Sequence, residues 1–279
     1  MSINAILSRR AVLAGLVALS AGPAGAQQSQ DTLAAIRARG KLIVGVKTDY
    51  RPYGFVDPSG HVVGLEVDLA REIAQRIGVG LELVPVIASN RMEFLRQGRI
   101  DMILATMSDT PERRRVVGMI EPNCYADGVT VLAPKSAGLK SWEQLRGRRV
   151  CAIQGAYSNR RVTQLYGPEL QAFPAVPDAL NALLGGNCIA FLFDHALIVS
   201  TVASDPAKWS EYEIPLPSED QQPWAIGVRL EDVSAPFGKL LSEITTDWLR
   251  SGHILDLERT WGITPSPYLV EMQRKLSGG

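Results

Sequence analysis

Residues 41–86 read KLIVGVKTDYRPYGFVDPSGHVVGLEVDLAREIAQRIGVGLELVPV, and the order of patterns within them decides the fold class. Leu42 to Val46 is a short apolar run of the kind shown by a strand covered on both faces. The stretch Glu66 to Ile77 follows, with Val67, Leu69, Ala70, Ile73, Ala74 and Ile77 at helical spacing, and Gly78 stands where a C-cap is expected. A second apolar run, Leu81 to Val86, comes next. Strand, helix and strand in this order imply a parallel pair joined by a crossover helix, the unit of α/β sheets.

Working outward, a helix over Arg91 to Arg96 and a strand over Asp101 to Ala105 continue the alternation. Glu121-Pro122-Asn123-Cys124-Tyr125 interrupts it, and Gly128 to Ala133 reads as an extended crossing into a second lobe. That lobe repeats the plan, with strands over Val150 to Ile153, around Phe173 and over Ile189 to Phe193, and helices over Asn159 to Leu165 and Asp178 to Leu184. Pro215, Pro217 and Pro223 mark an irregular return, Trp224 to Val228 reads as a second crossing, and helices over Pro236 to Arg250 and Ile254 to Thr260 go back to the first lobe. The expected fold is therefore α/β with two lobes, each a mainly parallel sheet flanked by helices. Residues 27–124 and 229–279 form lobe 1 and residues 125–228 form lobe 2, with two hinge crossings between them.

The amino terminus is set apart from this plan. Ser8-Arg9-Arg10 precedes the apolar run Ala11 to Leu19 and then Ala24-Gly25-Ala26, so residues 1–26 read as a signal peptide cleaved after Ala26, through the general secretory or the twin-arginine route. The run is too short to span a bilayer core of about 30 Å. The expected location is the periplasm. Removing Arg9 and Arg10 from the 29 basic residues leaves 27 against 29 acidic ones. That near-neutral balance excludes the basic stripe of a nucleic-acid binder, and Arg113-Arg114-Arg115 is too local to supply one. Three histidines and three cysteines lie far apart and match no metal-ligand spacing, so neither metal nor cofactor is expected.

In open α/β sheets, ligands sit outside the carboxyl ends of the strands. That rule selects Lys47, Asp49, Tyr50 and Tyr53 after the first strand, Arg91 after the second, Thr106 to Arg113 after the third, and in the second lobe Gln154-Gly155-Ala156-Tyr157-Ser158 and Asp194-His195. Thr110-Pro111-Glu112-Arg113 has the form of a helix start, with Thr110 or Asp109 as N-cap and proline at the first position. A cation in the first turn opposes the helix dipole, so Arg113 there points to a bound anion, beside the alternative of an arginine solvated in a basic run. Asp194 ends an apolar strand and is either the partner of an ammonium group or the N-cap of the segment starting at His195. Tyr50 and Tyr53 either stack over a ligand or simply pack, and the Gln154 to Ser158 turn is either a ligand contact or an ordinary connection.

The pieces GVKTDYRPYGF, GLEVDLAREIAQRIGV and GRIDMILATMSDTPERR, with the stretch from Pro223 through Trp261-Gly262, carry a family likeness. The chain resembles the family-3 extracellular solute-binding proteins, the periplasmic amino-acid-binding proteins of ABC importers, over essentially all of its length after residue 26. That resemblance implies a hinged periplasmic-binding-protein-like (type II) fold, an amino acid as ligand, an inner-membrane ABC permease as partner, a monomer and no catalysis. It also implies that Arg113 clasps the α-carboxylate with help from the backbone at Ser108 and Tyr157, that Thr106 and Asp194 receive the α-ammonium, and that Tyr50 covers one face. Where many relatives have Gly-Thr-Thr, this chain has Gly155-Ala156-Tyr157, so one hydroxyl contact is missing. Lys47 stands where relatives that bind basic amino acids have an acid. With Arg91 beside it, aspartate or glutamate is the expected ligand, with glutamine, asparagine or another polar amino acid next, unless these cations are solvated or pair with Asp49 and Glu93.

Cys151 and Cys188 begin the first and third strands of the second lobe, neighbours if the first strand is central, so a disulfide is expected there with Cys124 free. The rival classes are a periplasmic enzyme on the same fold, of the cyclohexadienyl-dehydratase kind, and an accessory or sensory binding protein. For the enzyme, Glu121, Asp127 and His195 are the available acid–base groups, with His195 better read as structural.

Overall fold

The computed structural model describes residues 31–278, so the expected signal peptide over residues 1–26 lies outside the described residues. Two sheets form the frame. The first runs Gly80–Pro85, Lys41–Val46, Met102–Ile103, Gly227–Val228, Gly118–Met119, with the first three strands parallel and Gly227–Val228 antiparallel to both of its neighbours. The second runs Glu169–Phe173, Arg149–Ile153, Ala190–Asp194, Tyr125–Pro134, Tyr212–Glu213, and Glu219–Trp224 also pairs with the long Tyr125–Pro134 strand. Each sheet thus has the expected parallel strands joined through helices, flanked by antiparallel strands that the chain adds as it enters and leaves.

Strand alternation assigns the cores. Leu42, Val44 and Val46, with Met102 and Leu104, face one cluster, while Ile103 and Ala105 face another. In the second sheet Phe191 and Phe193 point to the large shared cluster and Ala190 and Leu192 to the opposite face. The Leu65–Ile77 helix buries Leu65, Val67, Leu69, Ala70, Ile73, Ala74 and Ile77 and ends at Gly78 in the left-handed conformation (φ 82°), where the absence of a side chain removes the strain. Two helices escaped the sequence reading: Thr32–Arg39, capped by Asp31, and Pro267–Ser277. Among the described residues no helix is long and apolar enough to cross a membrane.

The lobes are joined where two segments run side by side. Ile120 N donates to Ile226 O and Cys124 N to Trp224 O, each at 3.0 Å. Gly128 to Ala133, expected to cross between lobes, lies instead inside the ten-residue Tyr125–Pro134 strand, whose backbone is taken up by partners on both sides. The return likewise comes before residue 228, because Gly227 and Val228 already pair with Met119 and Gly118 of the first sheet.

Cys151 and Cys188 form a disulfide with Cα atoms 5.5 Å apart, and Cys124 is a buried free thiol. Counting reactive thiols on the unreduced protein in denaturant is expected to give Cys124 alone. Three reactive thiols would rule the bond out.

Candidate functional site

Strand ends of both sheets converge on one pocket lined by Lys47, Arg91, Thr106, Ser108 and Arg113 from the first lobe and by Tyr157 and Asp194 from the second, with Ala88, Ala156 and Phe193 between them. Seven of the eight residues expected to contact the ligand therefore line it. The eighth, Tyr50, stands behind Asp194, and its hydroxyl donates to Asp194 Oδ2 at 3.0 Å. The enclosed space is about 10 Å³, room for about one water, so the two walls of the pocket stand against one another in this closed arrangement.

Arg113 reaches the pocket because the chain starts a helix just ahead of it. Thr110 caps that helix, its hydroxyl accepting from Arg113 N at 3.3 Å, and Pro111 fills the first turn. Of the three consecutive arginines only Arg113 is buried. Arg114 and Arg115 are exposed, and Arg114 pairs with Asp109 and Glu121, each at 2.6 Å. The Arg113 guanidinium donates to Ser108 O at 2.7 Å and, across the cleft, to Gly155 O at 3.0 Å. Burial holds it below the usual guanidinium range.

Asp194 occupies the N-cap position of the His195–Ser204 helix, yet its side chain makes no capping bond. Asp127 does that work from the neighbouring strand, its Oδ2 accepting from Ala196 N at 2.8 Å. The Asp194 carboxylate is thereby left to face Tyr50 and the pocket. Burial pushes its carboxyl up to about 6, against the Tyr50 hydrogen bond and the opposing charges of Arg91, Arg113 and Lys47.

Lys47 and Arg91 behave differently from one another. Lys47 is 1% exposed, with its ammonium 2.7 Å from Asp49, so the pairing alternative applies to it, and burial lowers its pKa. Arg91 does not pair with Glu93, which bonds to Arg96 and Gln97 instead. It donates to Ala105 O and, at 3.3 Å, to Thr106 O, while Glu66 accepts from Thr106 N at 2.7 Å. Thr106 is held between the two with φ 48°, a left-handed conformation that a threonine adopts only under such constraint. Glu66, buried behind the pocket against Thr106, is a residue that sequence reasoning missed. An acid in the first turn of a helix is ordinary by dipole arguments, and nothing in the local pattern shows that this one points inward.

The candidates for catalysis lie elsewhere. Glu121 is exposed beside Arg114, and Asp127 and His195, 4.0 Å apart, line a different cavity. Tyr157 puts its ring in the pocket and its hydroxyl on Asp220 O at 3.2 Å.

Comparison with known proteins gives a consistent picture. The sequence profile of the bacterial extracellular solute-binding proteins, family 3, matches residues 42–262. The chain is 30% identical over 250 residues to the ABC transporter glutamine-binding protein GlnH of Bacillus subtilis, covering 83% of this chain and 89% of that one. It is also 30% identical over 227 residues to the probable ABC transporter arginine-binding protein ArtJ of Chlamydia trachomatis, covering 80% and 86%. Among solved structures, the P235GK mutant of ArgBP from T. maritima superposes with a TM-score of 0.76 at 29% identity, covering 82% of this chain and 98% of that one.

The clamp on Thr106 makes a testable difference between two substitutions. Glu66→Ala leaves the Thr106 amide without its acceptor and Arg91 without its nearby acid, and is expected to lower stability in urea unfolding by about 1–3 kcal/mol. Glu66→Gln, which keeps an acceptor, is expected to lose less. Burial raises the Glu66 carboxyl to about 7, above an unfolded value of about 4.3, so its contribution is full at low pH and is lost as pH rises through about 7. Glu66→Gln should remove that slope, and equal losses in the two variants would show that Glu66 does not hold the loop.

Proposed function

Because the chain belongs to the bacterial extracellular solute-binding proteins, family 3, we propose that it captures a polar amino acid between its lobes in the periplasm and presents it to the permease of an ABC importer. In this reading residues 1–26 are the export signal, and the lobe built on the first sheet, which includes Gly227 and Val228, closes on the lobe built on the second. The observation that carries it is the opposition of Arg113 and Asp194 in one pocket, a guanidinium from one lobe facing a carboxylate from the other.

The chemistry follows from donors and acceptors. A ligand α-carboxylate takes the Arg113 bonds now directed at the carbonyls of Ser108 and Gly155, in the two-pronged geometry a guanidinium favours. The α-ammonium meets Asp194 and Thr106, with Tyr50 steering the Asp194 carboxylate from behind. Charge-assisted bonds contribute about 1.5–3 kcal/mol each, and micromolar capture needs only about 8 kcal/mol net. Binding across the gap favours the closed form of the hinge.

Side-chain preference rests on Lys47 and Arg91. The Lys47 ammonium and Arg91 Nε are buried without a hydrogen-bond acceptor in good geometry, so a ligand side chain ending in an acceptor oxygen fits there. Asp49 offsets Lys47, while Glu66, its carboxyl raised to about 7, offsets Arg91 only in part near neutral pH. The residual positive charge favours aspartate or glutamate ahead of glutamine or asparagine. Catalysis has little support, since the acid and base candidates stand outside this pocket, while inside it Arg91 and Arg113 bond to backbone carbonyls, Lys47 pairs with Asp49 and Asp194 accepts from Tyr50.

Calorimetric titration with an amino-acid panel is expected to rank aspartate or glutamate first. Tighter binding of lysine or leucine than of either acid defeats the assignment. Repeating the titration at falling pH should give a decline in affinity as pH drops through about 6, approaching tenfold per unit as Asp194 takes up its proton. Affinity that stays flat down to pH 5 would remove Asp194 from the ammonium site.

A further inference from the structure

A second cavity, of about 940 Å³, opens between the lobes beside the crossing segments and shares no lining residue with the Arg113 pocket. One wall carries Phe55 and Trp261 from the first lobe; the other carries Asp127, Ala196 and Val199 from the second. Its size is that of a small-molecule site rather than a packing defect, since binding pockets run from about 300 to 1,000 Å³.

Asp127 gives the cavity its chemistry. The side chain is 8% exposed. One carboxyl oxygen is fixed by Ala196 N at 2.8 Å, and the other has His195 Nδ1 as its nearest basic group, at 4.0 Å, too far for a hydrogen bond. Burial holds the His195 imidazole below its ordinary pKa, so it brings no positive charge at neutral pH. Burial and the neighbouring Asp194 push the Asp127 carboxyl up to about 8, the response of an acid with no cation at hand. Around it the rings of Tyr53 and Tyr125 stand edge to face at 5.3 Å, and those of Phe55 and Trp261 at 5.8 Å. The hydroxyls of Tyr53 and Tyr125 are bonded in a chain that ends on Glu258. Glu271 adds a second acid to the lining, and the exposed Arg51 guanidinium lies 3.8 Å over the Phe55 ring.

We propose that this cavity is a second binding site, for a primary amine or related organic cation carried on an aromatic or apolar body. The ammonium meets the Asp127 oxygen that Ala196 N does not hold and displaces its proton to solvent, so that the carboxyl ionises on binding, and the body lies against the aromatic wall, the combination by which carboxylates and ring faces together recognise cations. An anion of the same shape would find no buried cation there, because Arg51 of the lining is exposed and Glu271 is already paired with Lys275 at 2.6 Å. Because the walls belong to different lobes, an occupant bridges them without touching Arg113. The proposal stands apart from the amino-acid reading and survives or fails separately.

The test is calorimetric titration of the full chain with 2-phenylethylamine, beside 3-phenylpropionate and 2-phenylethanol. The amine is expected to give saturable one-to-one binding and the propionate none. Asp127→Asn, which keeps an acceptor for Ala196 N, should weaken the amine by about tenfold or more, the loss of one charge-assisted contact. Arg113→Ala should leave amine affinity within about twofold, as sites without shared partners are independent. Absence of saturable amine binding, equal binding of the propionate, unchanged affinity in Asp127→Asn or loss of amine binding in Arg113→Ala would each overturn the proposal, the last by placing the amine in the first pocket.

Discussion

Charges taken out of water hold the centre of this molecule together. Lys47, Arg91, Arg113, Glu66 and Asp194 are all less than 9% exposed, and buried ions are tolerated only when opposite charges and hydrogen bonds surround them. Each therefore constrains the next. Arg91 and Glu66 grip the Ala105–Thr106 backbone from its carbonyl and amide sides, Asp49 takes Lys47, and Tyr50 steers Asp194. Removing any one leaves a neighbour desolvated without its partner, so the first-lobe half of the site, Lys47, Glu66, Arg91 and Thr106, is held in place by its own contacts.

Aromatic packing lets that cluster sit between two bodies. Trp224, on the segment returning to the first lobe, stacks on Tyr125, on the segment leaving it, with ring centroids 5.1 Å apart. Tyr50 and Tyr53 close on Trp224 edge to face at 6.1 and 5.3 Å. The two crossings are thus joined by backbone hydrogen bonds on one side and by rings on the other, which leaves the lobes free to move chiefly about that line. Gly155 marks how closely they meet: a Cβ there would stand 2.8 Å from Ser89 Cα.

The fold was legible because its signals are periodic. Parallel strands and their crossover helices repeat over enough residues for alternation and helical spacing to register, and the strand-end rule then named positions of which Lys47, Arg91, Thr106, Ser108, Arg113, Ala156, Tyr157 and Asp194 share a pocket. The misses have a physical pattern. Gly128 to Ala133 looked like a connector because a strand bonded on both edges and a crossing segment have the same local composition; only the register with Phe191 to Asp194 separates them. Glu66 was invisible because its partner, Thr106 N, is forty residues away in sequence. The role of Asp127 as the cap of a helix it does not belong to is equally non-local. Asp194 was ambiguous between cap and site in sequence, and that tertiary contact is what decides how its carboxylate is used.

The central claim is that Arg113 and Asp194 together hold the two charged ends of one amino acid. The most direct measurement is calorimetric titration with whichever amino acid binds most tightly, beside its N-acetyl form and its α-methyl ester. Loss of either end should weaken binding by about a hundredfold or more, the effect of stranding one buried charge. A blocked form that binds within a few fold of the free amino acid would contradict the account.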